Sequence, residues 1–160
     1  MSKDKKVEVI FWSIAFPGFG QFLNGKLFKG AVLIALEFIV NVFSKLNAAI
    51  IPSFHGDIQT AISSTNYQWL MFYPCLYLFA IWDAYRDAGG GEASYSFLPY
   101  VFSAYIGTIG VVYSPTFNVK GIYFGPIWLP IIFLILGYTI GMIIRLIVLN
   151  WVRKHGQPSS

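Results

Sequence analysis

Glu37, Asn41, Ser44 and Lys45 follow one another at offsets of four, seven and eight residues from the glutamate, so a helix would carry them along one face. They sit in a strongly apolar run that begins Ala31-Val32-Leu33-Ile34-Ala35-Leu36. Ionisable groups on one stripe of a membrane helix can hold or pass a proton or a small ion, and that stripe must turn away from lipid. Arg145 lies near the end of another apolar run. At 1.5 Å per residue, Glu37 and Arg145 each come roughly 10 Å in from the same side, so an ion pair between them is geometrically possible. The alternative is that Arg145 snorkels to the headgroups while Glu37 is protonated or bonded to Asn41.

Other constellations point less to chemistry. Asp83 and Asp87 share a helical face beside Arg86, after Trp82, and read as a solvated helix end with scope for a headgroup contact rather than as a catalytic dyad. His55 and His155 stand alone, and Cys75 has no second cysteine, so neither a metal site nor an internal disulfide is expected. Gly89-Gly90-Gly91-Glu92 is a flexible joint, not a phosphate loop, because acids flank it and no lysine-serine or lysine-threonine pair follows. No nucleophile elbow is present. The expectation is a protein that is not an enzyme and takes no cofactor.

The elements that must position these residues are set by hydropathy. The chain has 160 residues, 56% hydrophobic against 11% charged, which points to a polytopic membrane protein. A net charge of +4 raises the possibility of nucleic acid, but the basic residues are scattered at the ends of apolar runs, so no nucleic-acid partner is expected. The bilayer itself is the first partner, with a membrane protein or a second copy of the chain as the further one.

Four spanning helices are expected, at about 30–51, 68–85 (kinked at Pro74), 97–114 and 126–151. They make an all-α fold of two transmembrane hairpins. The organisation reads as a cytoplasmic interfacial segment and Gly/Pro elbow at 1–29, a first hairpin at 30–88, a Gly-rich joint at 89–96, a second hairpin at 97–151 and a tail at 152–160. Residues 52–67 read as a polar outside loop. In the last helix Gly137 and Gly141 have the spacing that lets backbones approach closely, in a dimer or within the chain.

Val7 to Phe16 supplies about ten apolar positions where a crossing needs roughly twenty. Lysines flank it on both sides, Lys3, Lys5 and Lys6 before and Lys26 and Lys29 after, so both ends should stay on one face as an interfacial or half-inserted helix. The segment imitates a secretory signal but has no small-x-small cleavage pattern, and retention is expected. Pro17 breaks the helix, and Gly18, Gly20 and Gly25 can take positive φ, giving an elbow at the lipid surface from which the chain restarts near Lys29. With four crossings, nearly all basic residues fall on the side of the two termini, the exceptions being Lys120 in an outside loop and Lys45 near the outer end of its helix. The positive-inside rule then makes that side cytoplasmic.

Pro17-Gly18-Phe19-Gly20-Gln21-Phe22, followed by Gly25 and Lys29-Gly30 and later by Ile81-Trp82-Asp83, resembles the opening of small bacterial membrane proteins related to the two-transmembrane-helix domain family. The resemblance covers about residues 9–87. It departs from the pattern at Phe22-Leu23, where an aromatic pair is usual, in a shorter spacing from tryptophan to aspartate, and in having no Asp-Arg-Phe turn. It implies a helical hairpin and no particular activity.

The functional expectation is a non-catalytic binding or scaffold protein of the bacterial cytoplasmic membrane. Its partner or lipid contacts are expected at Pro17, Gly18, Gly20, Gln21, Gly25, Lys26 and Lys29 with Trp82, Asp83, Arg86 and Asp87. A transporter or channel element built on Glu37, Asn41, Lys45 and Arg145 is the alternative. An immunity protein against a membrane-active peptide is a third reading, which no residue singles out.

Overall fold

The computed structural model describes residues 3–155, with the Lys3 side chain left aside. The last part of the expected tail, 156–160, therefore lies outside the described residues. Among the described residues the fold is all-α apart from one small hairpin of strands. In chain order the helices are α1 (Lys3–Ala15), α2 (Phe19–Leu23), α3 (Leu27–Ser44), α4 (Leu46–Phe54), α5 (Ile58–Ser64), α6 (Tyr67–Leu70), α7 (Tyr73–Asp87), α8 (Leu98–Tyr113) and α9 (Gly125–His155). A 3-10 turn, Gly90–Glu92, joins α7 to the segment before α8.

Several boundaries differ from those read in the sequence, each for a local reason. The first long run does not continue to Ile51. Lys45 adopts a left-handed backbone (φ 58), which ends α3 and starts α4. The freed Ser44 carbonyl accepts the Asn66 N–H at 2.9 Å, so the break is satisfied from across the chain. Residues 52–67 are not an irregular loop. Pro52 lies within α4, and Asp57 caps α5 by accepting from the Thr60 amide at 3.1 Å. Pro74 does not kink a continuous helix. The chain breaks at 71–72, and the proline sits in the first turn of α7, where no backbone donor is needed. Between α8 and α9, β1 (Asn118–Val119) pairs with β2 (Ile122–Tyr123) through Lys120 and Gly121, both at positive φ as a type I′ turn requires. The last helix extends to His155, so residues 152–155 are helical rather than tail.

Helices α3 and α9 are each long and apolar enough to cross a membrane, with mean hydropathy 1.8 and 2.5. At 18 and 31 residues they measure about 27 and 46 Å, against roughly 30 Å of bilayer hydrocarbon. Helix α8 is apolar but, at 16 residues, shorter. Only 28% and 11% of the apolar windows of α3 and α9 are buried. The core helix of a water-soluble domain would be mostly covered, so these two present apolar surface outward.

Two small apolar clusters mark the two ends of the molecule. Val9, Ala84 and Ala88 join α1 to the end of α7. Leu46, Leu70 and Val111 join α4, α6 and α8, with Tyr73 and Ile127 against them. Between α8 and α9 the contact is close. A Cβ on Gly137 would press on Ser103 Cα and the Phe102 carbonyl, and one on Gly141 would press on Pro99 Cα and the Leu98 carbonyl. The paired glycines are thus occupied within the chain, and Ser103 Oγ adds a bond to the Leu134 carbonyl at 2.8 Å.

Candidate functional site

The Gly/Pro elbow is built around two glycines. Gly18 takes φ +104, a conformation that any larger residue would adopt only under strain, and it reverses the chain after Pro17. Gly20 is helical, contrary to the expectation of positive φ, and is needed for space: a Cβ there would overlap Ser13 Oγ and press on Ala84 and the Val9 carbonyl. Gly25 does take positive φ, at +73, and is exposed. Helix α2 can therefore nest in the angle between α1 and α7.

The elbow does not lie as a surface turn. Pro17, Gly18, Gly20 and Gln21 are buried. Helix α1 runs antiparallel to α7: Lys6 Nζ donates to the Gly89 carbonyl at 2.8 Å, and the Tyr77 hydroxyl donates to the Ile14 carbonyl at 2.6 Å. From Asp87 to Tyr77 is about 15 Å along α7, so α1 descends beside it and α2 returns. The chain enters and leaves this unit at one end of the bundle, because Lys29 in the first turn of α3 meets the last turns of α7.

A polar cluster closes that end. Lys29 Nζ lies 2.9 Å from Asp83 Oδ1 and 2.9 Å from Asp87 Oδ2. Arg86 Nη2 lies 2.7 Å from Asp83 Oδ1, and its guanidinium stacks 4.7 Å from the centre of the Trp82 ring. Gln21 Nε2 donates to the Ala80 carbonyl at 2.9 Å and to Asp83 Oδ2 at 3.2 Å. Asn24 Nδ2 donates to the Ala84 carbonyl at 2.8 Å. Asp83 is 2% exposed, yet both of its oxygens are engaged and two cations balance the two carboxylates. Such a cluster fastens helices.

The expected site residues are thus brought together in part. Gln21, Lys29, Asp83, Arg86 and Asp87 form one cluster, with Trp82 beneath Arg86. Lys26 and Gly25 lie outside it and are exposed. The outward face of the unit is a row of rings: Trp12 to Phe19 at 6.2 Å, Phe16 to Phe19 at 5.1 Å and Phe19 to Phe22 at 6.4 Å, all four exposed.

The proposed intramembrane face divides. Glu37 and Ser44 are buried, whereas Lys45 is exposed at the helix break, and Asn41 Nδ2 reaches the Asn47 side chain at 3.4 Å. Glu37 does not pair with Arg145. Helix α9 lies on α8, and Arg145 Nε donates to the Ser94 carbonyl at 3.0 Å, while Glu37 faces Tyr73 of α7.

Asn24, Tyr73 and Tyr77 were not singled out from the sequence, and Lys6 was read there only as a flanking charge. Two signals were available. Asn24 follows Gln21 by three residues and so shares its face in a helical turn, and Tyr73, Tyr77, Ala80 and Ala84 form an i, i+4, i+7, i+11 stripe whose small members leave room for α1. Comparison with protein-family models, with curated proteins and with solved structures finds no match for the chain.

Proposed function

We propose that the chain is a non-catalytic, multi-pass protein of the bacterial cytoplasmic membrane that binds or scaffolds a membrane partner through the aromatic face of α1 and α2. In this reading α3, α6 with α7, α8 and α9 cross as two hairpins. Helix α1 enters about halfway and turns back at Pro17-Gly18, and both termini are cytoplasmic.

The observation that carries the reading is that Lys6 on Gly89 and Lys29 on Asp83 and Asp87 hold both flanks of the α1–α2 unit at one end of the bundle. Arg145 on the Ser94 carbonyl ties the returning α9 to that same end, and Arg153 and Lys154 follow in its last turn. The positive-inside rule assigns such an end to the cytoplasm. The likeness of residues 9–87 to the two-transmembrane-helix domain family belongs to the proposal. The contact of Gln21 with Asp83 gives a physical reason for a glycine-rich turn and a Trp-Asp helix end to occur together.

A partner would meet the exposed row of Trp12, Phe16, Phe19 and Phe22, with Lys26 at its cytoplasmic edge. Aromatic side chains give large contact area at low entropic cost, and their backbone here is held by the cluster behind it. A photoreactive phenylalanine analogue at Phe19 in native membranes tests this. A discrete protein adduct, absent when the probe is at the outward-facing Ile147 of α9, is expected; lipid adducts alone at both positions would count against partner binding.

A further inference from the structure

We propose that Glu37 is a proton-binding site in the interior of the bundle, loaded at neutral pH and exchanging with water. It is independent of the partner-binding reading, and either can fail alone. Glu37 lies eight residues beyond Lys29 on α3, about 12 Å from the ion cluster, and is 5% exposed. Its Oε2 has no hydrogen-bond partner among the described residues. The carboxyl interacts with the Tyr73 hydroxyl, and Tyr77 lies beside it, both from α7.

The cations of the charged end and of the expected ion pair are engaged elsewhere. Lys29 and Arg86 are held by Asp83 and Asp87, and Arg145 by the Ser94 carbonyl. A carboxylate in apolar surroundings with neither a cation nor a full set of donors is disfavoured against the neutral acid. Tyr73 can donate to one carboxyl oxygen, which leaves Oε2 to take the proton.

The site adjoins polar groups of α7 and α1. The Tyr73 and Tyr77 rings stack at 5.7 Å, and the Tyr77 hydroxyl reaches the Ile14 carbonyl at the foot of α1. Ser13 Oγ, buried and without a partner among the described residues, lies next along α1, towards Gln21 and the charged end. The half-inserted unit thus brings polar atoms from the charged end down to the level of Tyr77.

Infrared difference spectroscopy of the full chain in vesicles of phosphatidylethanolamine and phosphatidylglycerol tests the proposal. Wild type minus Glu37→Gln at pH 7 should show the carbonyl stretch of a protonated carboxylic acid, shifting to lower frequency in D2O. Carboxylate bands in its place would overturn the proposal, as would an acid band unmoved by D2O. Should Glu37→Gln fail to insert, Tyr73→Phe provides the second reading: the acid band should persist and rise in frequency as its hydrogen bond is lost. A Tyr73→Phe spectrum identical to wild type would contradict the assignment.

Discussion

Gln21, in the five-residue helix α2, donates through Nε2 to Asp83 Oδ2 at 3.2 Å, across 62 residues of sequence. The side chain is fully buried, and a second bond from the same nitrogen to the Ala80 carbonyl fixes its orientation. That contact turns a flexible Gly/Pro turn into a fixed wedge between α1 and α7, with the aromatic row as its outer surface. If Gln21 were leucine, Asp83 would lose a donor and the Ala80 carbonyl a partner in a buried setting. Gln21→Leu should cost about 1–3 kcal/mol, read as a lower unfolding temperature in detergent.

The ion cluster makes a sharper claim. Asp83→Asn leaves Arg86 and Lys29 short of one acceptor charge, and removing one partner of a buried pair typically costs about 3–5 kcal/mol. Because Lys29 is partly exposed and keeps Asp87, the lower end of that range is expected. A double-mutant cycle with Lys29→Gln should show coupling of roughly 0.5–3 kcal/mol in the unfolding free energy; strict additivity would mean that the pair does not fasten α3 to α7.

Two glycines of the elbow should respond differently. Gly20→Ala places a methyl group against Ser13, Ala84 and the Val9 carbonyl, and the overlap should loosen α1, with a loss of about 1–3 kcal/mol. Gly25→Ala meets nothing within 4 Å, so only its positive φ opposes it, at roughly 1–2 kcal/mol. Limited proteolysis should separate them, with cleavage near α1 enhanced for Gly20→Ala and unchanged for Gly25→Ala.

Gly137 and Gly141 are filled by α8. Gly137→Ile should therefore push α8 from α9 and lower thermal stability, while crosslinking of the wild-type chain in membranes should show no dimer that depends on these glycines. A dimer abolished by Gly137→Ala with the monomer fold intact would contradict the intramolecular packing.

The cap of α5 carries a pH dependence outside the apolar helices. The Thr60 hydroxyl and amide hold the Asp57 carboxyl below its ordinary range. A carboxylate with a depressed value stabilises the folded form above the ordinary range, and the contribution is lost as pH falls through the depressed one. The Thr60 amide signal should accordingly titrate with a midpoint below that of Asp57 in a peptide.

The helical class, the helix at 98–113 and the long last helix were legible because hydropathy and length act locally. The reading that Val7 to Phe16 does not simply cross rests on length as well and belongs to the proposal. What could not be read were features set by contacts between distant residues. The break at Lys45 depends on Asn66 reaching the Ser44 carbonyl, and the burial of the elbow depends on Ala80, Asp83 and Ala84 presenting acceptors to Gln21 and Asn24. Sequence proximity linked Glu37 to Lys45 along a helix that is not continuous, and equal depth linked it to Arg145 on a helix packed elsewhere. Tyr73, which does face Glu37, lies 36 residues away, and the stripe it shares with Tyr77, Ala80 and Ala84 does not name Glu37 as its partner.

The central claim is that the first helix enters and turns back, leaving both of its flanks at the charged end. Single cysteines at Lys5, Lys26, Gln59, Lys120 and Lys154, introduced one at a time into Cys75→Ser and labelled in intact cells with an impermeant maleimide, test it directly. Gln59→Cys and Lys120→Cys should label from outside, and Lys5→Cys, Lys26→Cys and Lys154→Cys only after the membrane is opened. Labelling of Lys5→Cys from outside, with Lys26→Cys still protected, would mean that α1 crosses the bilayer and would contradict the account.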